Sequence, residues 1–163
     1  MKKLLLLLLF IPLMSIGQIT YNDLMSIKSV DTFKKVVIEN GYEYDSTDAD
    51  TGAIYYGFNI VRDSINGNKS TNWATYDNKT GFWRFKISRG NILSDFLNTD
   101  ADNTSNAYDL IIADIKEKCK YFKIEEFSGT DFVTYSCSES SYKGKIGFVV
   151  SEGSGYIVHF PNL

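Results

Sequence analysis

Between Ser29 and Gly41 the apolar residues Phe33, Val36 and Val37 recur among polar ones, the spacing of one helix face. Ser29 suits the N-cap, Asp31 the first turn, and Asn40-Gly41 a stop. The segment Asn22 to Lys28 adds a short helix ahead of it. The period then drops to two. Four strands are predicted over 42–45, 53–60, 71–76 and 82–87, with Ile54, Tyr56, Phe58 and Ile60 on one face of the second. Asp77 to Gly81 reads as a hairpin turn. A helical period returns over 107–118, with Ile111, Ile112 and Ile115 on one side. Four more strands follow, over 121–127, 131–138, 145–151 and 155–160.

This order predicts an α+β protein of two α-β-β-β-β units, each an antiparallel sheet with its helix packed on one face. The units span 18–97 and 107–163, and the polar stretch 98–106 links them.

Alternation also predicts register. If Ser128-Gly129 is a two-residue turn, Phe127 faces Thr130, Ile124 faces Val133 and Phe122 faces Tyr135. Cys137 then points with Phe122, Ile124, Val133 and Tyr135 toward the helix side, and Cys119 continues the stripe of Ile115. Around Asp77 to Gly81, a register that pairs Trp73 with Phe85 and Tyr76 with Phe82 places these two pairs on opposite faces. Large aromatics therefore reach an open sheet face, and Tyr55, Trp73, Tyr76, Phe82 and Phe85 are the candidates for a binding surface.

The N-terminus changes the setting. Lys2 and Lys3 precede the apolar run Leu4 to Met14, and Ser15-Ile16-Gly17 supplies small residues before Gln18. This is the layout of a cleaved signal peptide over 1–17. The run falls short of the roughly 20 apolar residues that span a bilayer, so no membrane anchor is expected after cleavage. The protein is expected to be exported, periplasmic or extracellular. Cleavage moves the formal charge from −3 to −5, which gives no electrostatic footprint for nucleic acid. In an oxidising compartment, exactly two cysteines favour a Cys119–Cys137 disulfide over two buried thiols or a reactive pair.

Candidate chemistry is sparse. His159 is the only histidine, no GxSxG elbow is present, and Glu125 and Glu126 alternate to opposite faces. No catalytic set and no cofactor are expected. Asn98, Asp100, Asp102 and Asp109 partly match the oxygen positions of a calcium loop, although Asn stands first and Asp replaces the terminal Glu. A solvated linker that caps the following helix accounts for the same residues.

The order of elements over 22–160 resembles the tandem α-β4 layout of secreted β-lactamase inhibitor proteins, without a shared motif. The resemblance implies a two-layer protein that binds another protein across an open sheet face. The expectation is an exported, non-enzymatic binding module of inhibitor or immunity type, with another envelope or extracellular protein as partner. The alternatives are an envelope hydrolase with loop carboxylates and a calcium-stabilised structural module.

Overall fold

A computed structural model describes residues 18–89, 106–137 and 144–161. Its helices are α1 (Tyr21–Ser26), α2 (Val30–Glu39) and α3 (Ala107–Lys118). Its strands are β1 (Glu43–Thr47), β2 (Ile54–Phe58), β3 (Asn72–Tyr76), β4 (Trp83–Ser88), β5 (Lys120–Phe127), β6 (Thr130–Ser136), β7 (Lys145–Ser151) and β8 (Ser154–Phe160). The signal segment, most of the linker and the segment 138–143 lie outside the described residues.

Local chemistry sets the helix starts. Ser29 accepts from the Thr32 amide at 3.3 Å, and Thr32 Oγ1 accepts from the Ser29 amide at 2.9 Å, a reciprocal cap that satisfies two orphan donors. Thr20 and Asp23 do the same for α1. Asn106 caps α3 through the Asp109 amide at 3.0 Å. After α2 the chain turns through Gly41, whose φ of 77° favours glycine.

The strands overturn the expectation of two α-β-β-β-β units. All eight form one antiparallel sheet in the order β1-β2-β3-β4-β8-β7-β6-β5. The join is β4 against β8, with Trp83 opposite His159 through to Ser88 opposite Ser154. The physical reason is edge satisfaction. Two separate four-stranded sheets would leave four edges of unpaired amides and carbonyls, and joining β4 to β8 removes two of them. The two remaining edge strands, β1 and β5, each carry a register break, at Tyr44–Ser46 and at Tyr121–Lys123. Bulges of this kind twist an edge away from further pairing.

One face of the sheet builds the main core. Phe33 of α2 packs on Tyr56, Tyr76 and Phe85 at ring-centroid distances of 6.0, 5.2 and 5.9 Å. Ile111 and Ile115 of α3 join the same cluster with Ile146 and Ile157. β8 passes close beneath α3, because a Cβ on Gly155 would overlap the Tyr108 ring. The disulfide is present. It joins Cys119, the C-cap of α3, to Cys137 just past β6.

The predicted register holds over part of β5–β6. Phe127 faces Thr130 and Ile124 faces Val133, but the break at Tyr121–Lys123 sets Tyr121, not Phe122, opposite Tyr135. Thr134 fixes this break. Its hydroxyl is buried and donates to the Lys123 carbonyl at 2.7 Å.

Candidate binding face

The face away from the helices is shaped by curvature. Phe82, beside β4, stacks on Phe127 of β5 with centroids 5.0 Å apart. Three strands lie between β4 and β5 in the sheet order, so a flat sheet would hold them about 19 Å apart at roughly 4.8 Å per strand. The sheet therefore coils until β5 returns over this face. Phe160 completes the contact, with centroids 6.2, 5.8 and 6.0 Å from Phe82, Phe127 and Phe132. Four phenylalanines thus close one part of the face.

The rest stays open. Strand alternation and pairing place Tyr55, Trp73, Thr75, Arg84, Lys86 and Tyr156 on it side by side: Tyr55 pairs with Thr75 and Thr75 with Arg84, while Trp73 pairs with Lys86 and Lys86 with Tyr156. These six, with Asp45 and Ser46 at the β1 rim, line a hollow of about 390 Å³. A second hollow of about 290 Å³ runs on from it, sharing Arg84 and Tyr156 and ending among Phe132, Val158, Ser151 and Glu152. Together they make one trough.

Its electrostatics are uneven. Lys86 Nζ lies 5.9 Å from the centre of the Tyr156 ring, a cation over an aromatic face. Among the described residues, neither Arg84 nor Lys86 forms an ion pair. Asp45, the acid nearest the trough's first hollow, is engaged by Asn68 at 2.6 Å and Ser46 at 2.9 Å. A protein whose formal charge is negative thus presents two cations against one carboxylate, that of Asp45, between three aromatic rings.

The aromatic candidates divide. Tyr55 and Trp73 lie in the trough. Phe82 lies on the same side but is taken up by Phe127 and Phe160. Tyr76 and Phe85, 7% and 0% exposed, are core residues against Phe33 on the helix side and cannot belong to a binding surface. Tyr76 lies three residues from Trp73 on one strand and so faces the other way, while Phe85 goes to the core through a one-residue difference in register: Trp73 pairs with Lys86 and Tyr76 with Trp83, and a slip of one exchanges the faces. Arg84, Lys86 and Tyr156 are the trough residues that aromatic content alone does not reveal. The alternation in Trp83-Arg84-Phe85-Lys86-Ile87 is the signal that carries them.

The chain matches no protein-family model, no curated protein and no solved structure. What the face can do therefore rests on its own residues.

The other candidate chemistry is dispersed. His159 is buried on the helix side, stacked on Trp83 at 5.4 Å with its Nδ1 3.3 Å from the Gly81 carbonyl. It borders a cavity of about 420 Å³ with Ile27, Lys28 and Tyr76. In that cavity, burial and the charge of Asp77 push the Tyr76 hydroxyl up from its ordinary value. Asn98, Asp100 and Asp102 of the calcium candidate lie outside the described residues. Asp109 is paired with Arg89 at 3.3 Å. No cluster of three metal-ligating side chains occurs among the described residues. Glu125 accepts from Lys145 at 2.7 Å and Lys123 at 3.2 Å. No helix among the described residues is long and apolar enough to cross a membrane.

Proposed function

We propose that this is an exported binding protein, of inhibitor or immunity type, that engages another envelope or extracellular protein through the trough. The observation that carries the reading is the juxtaposition of Tyr55, Trp73 and Tyr156 with the unpaired Arg84 and Lys86. Aromatic residues and arginine are the side chains that contribute most at protein interfaces. The disulfide agrees with an oxidising compartment.

The test is capture from envelope and culture-supernatant fractions on immobilised protein, run in parallel with Trp73→Ala and Arg84→Glu. A partner retained by the native protein and lost from both variants supports the reading. Capture that is the same on all three proteins refutes this face as the interface.

A further inference from the structure

We infer that the trough receives an extended peptide segment of the partner, with a carboxylate seated at Arg84 and Lys86 and an apolar side chain seated against Phe127 and Val149. The inference rests on the binding reading above and names the chemistry of the segment. Two hollows in series, joined at Arg84 and Tyr156, make an elongated site rather than a round one. An elongated site matches a chain in extended conformation, whose side chains on one face recur every second residue.

Each hollow has its own chemistry. The first holds Arg84 and Lys86 with aromatic walls, and Asp45 at its rim is already hydrogen-bonded by Asn68 and Ser46. Guanidinium and ammonium groups bind carboxylate by charge-assisted hydrogen bonds. The second offers Phe127 and Val149 as its accessible apolar surface, over the buried Phe132 and Val158, with Glu152 beside them. The first hollow sets two cations against one acid, Asp45, whereas the second sets the shared Arg84 against Glu152 with no further cation, so the acid belongs in the first hollow and the apolar residue in the second. Strand addition at an edge is the competing way to hold an extended peptide. Both edges carry bulges, which leaves the face as the surface on offer.

Fluorescence anisotropy tests this with labelled decapeptides of alternating threonine that carry one glutamate and one leucine two residues apart, made in both orders. Saturable binding is expected for one order or both. Replacing the glutamate by lysine should abolish it. Arg84→Glu should weaken binding about ten-fold or more, and should restore binding to the lysine peptide. Lys34→Glu, on the exposed side of α2, should change nothing. Equal affinity for glutamate and lysine peptides overturns the inference. So does a trough that binds an anionic polysaccharide such as hyaluronate, but neither peptide order, with the same Arg84 dependence. If the peptides fail while a partner is still captured in an Arg84-dependent way, only the extended acidic segment is refuted. If both fail, the binding reading falls with it.

Discussion

Opening the Cys119–Cys137 bond should cost this protein about 3 kcal/mol. The bond closes a loop of 18 residues, and the chain-entropy relation for a loop of that length gives about 3 kcal/mol at 25 °C. Its position argues for the full value. Cys119 caps α3, with its amide on the Ile115 carbonyl at 2.9 Å, and Cys137 is buried at the end of β6. The bond thus holds the last turn of α3 to the far strand of the same hairpin. The Tyr21 hydroxyl lies 3.6 Å from Cys119 Sγ, so α1 also leans on this junction. Urea unfolding of the oxidised protein, the reduced protein and Cys119→Ala/Cys137→Ala measures the effect. With a slope of about 1–3 kcal/mol per molar urea, the midpoint should fall by roughly 1–3 M on reduction. The alanine pair should fall slightly further, because it also removes the buried Cys137 sulfur. A thermal midpoint lower by about 6–12 °C is the equivalent reading, at roughly 2–4 °C per kcal/mol. Coincident urea curves for oxidised and reduced protein would refute the reasoning, and two free thiols in the protein by non-reducing mass spectrometry would remove its premise.

Three further outcomes follow from the core and its charges. Gly155→Ala should destabilise by about 1–3 kcal/mol, the usual range for overpacking, because the new methyl group meets the Tyr108 ring; Tyr108→Ala in the same chain should relieve part of the loss in calorimetry. Burial alone raises the Glu125 pKa, but hydrogen bonds and charge from Lys145 and Lys123 outweigh it and hold the carboxyl below its ordinary value. Its contribution is therefore present above the ordinary carboxylate range and lost as pH falls through the folded value, so Glu125→Gln should cost about 1 kcal/mol at pH 7 and nothing at pH 2 in urea titrations. Burial pushes the Tyr108 hydroxyl up to about 12, with Arg89 lowering it and Asp109 raising it, so stability present below pH 10 should fall as pH rises from 10 through 12. Tyr108→Phe should flatten part of that fall, while losing the hydrogen bond to the Val149 carbonyl.

The elements were legible where the chain solves a local problem. Ser29 is a good cap because its side chain reaches the amide three residues on, and that cap forms. The helix over 107–118 has the bounds its isoleucine stripe predicts. The sheet was not legible in the same way. The pairing of β4 with β8 joins residues more than 60 positions apart, and no periodicity in either strand selects the partner of its outer edge. The break in β5 is equally silent, because it is held by one buried hydroxyl, that of Thr134, on the Lys123 carbonyl.

The candidate site turns on a single residue of register. Asp77 and Phe82 are the last paired positions before the β3–β4 turn, with the Asp77 amide on the Phe82 carbonyl at 2.8 Å. Gly81, at a φ of 72°, sits inside the turn and donates to the Asp77 carbonyl. A register that pairs Asp77 with Gly81 counts one residue fewer in the turn and puts Phe85 beside Trp73. With Gly81 in the left-handed conformation, Lys86 takes that place and Phe85 goes to the core. The same count decides whether the open face is a plain aromatic patch or an aromatic trough holding two cations. Curvature then decides its extent. The return of Phe127 over Phe82 closes one end, and the two hollows that meet at Arg84 and Tyr156 stay open to a partner. Coiling of this degree accumulates over eight strands joined in one sheet. The open site is thus a consequence of the β4–β8 join, and two separate four-stranded sheets would not have formed it.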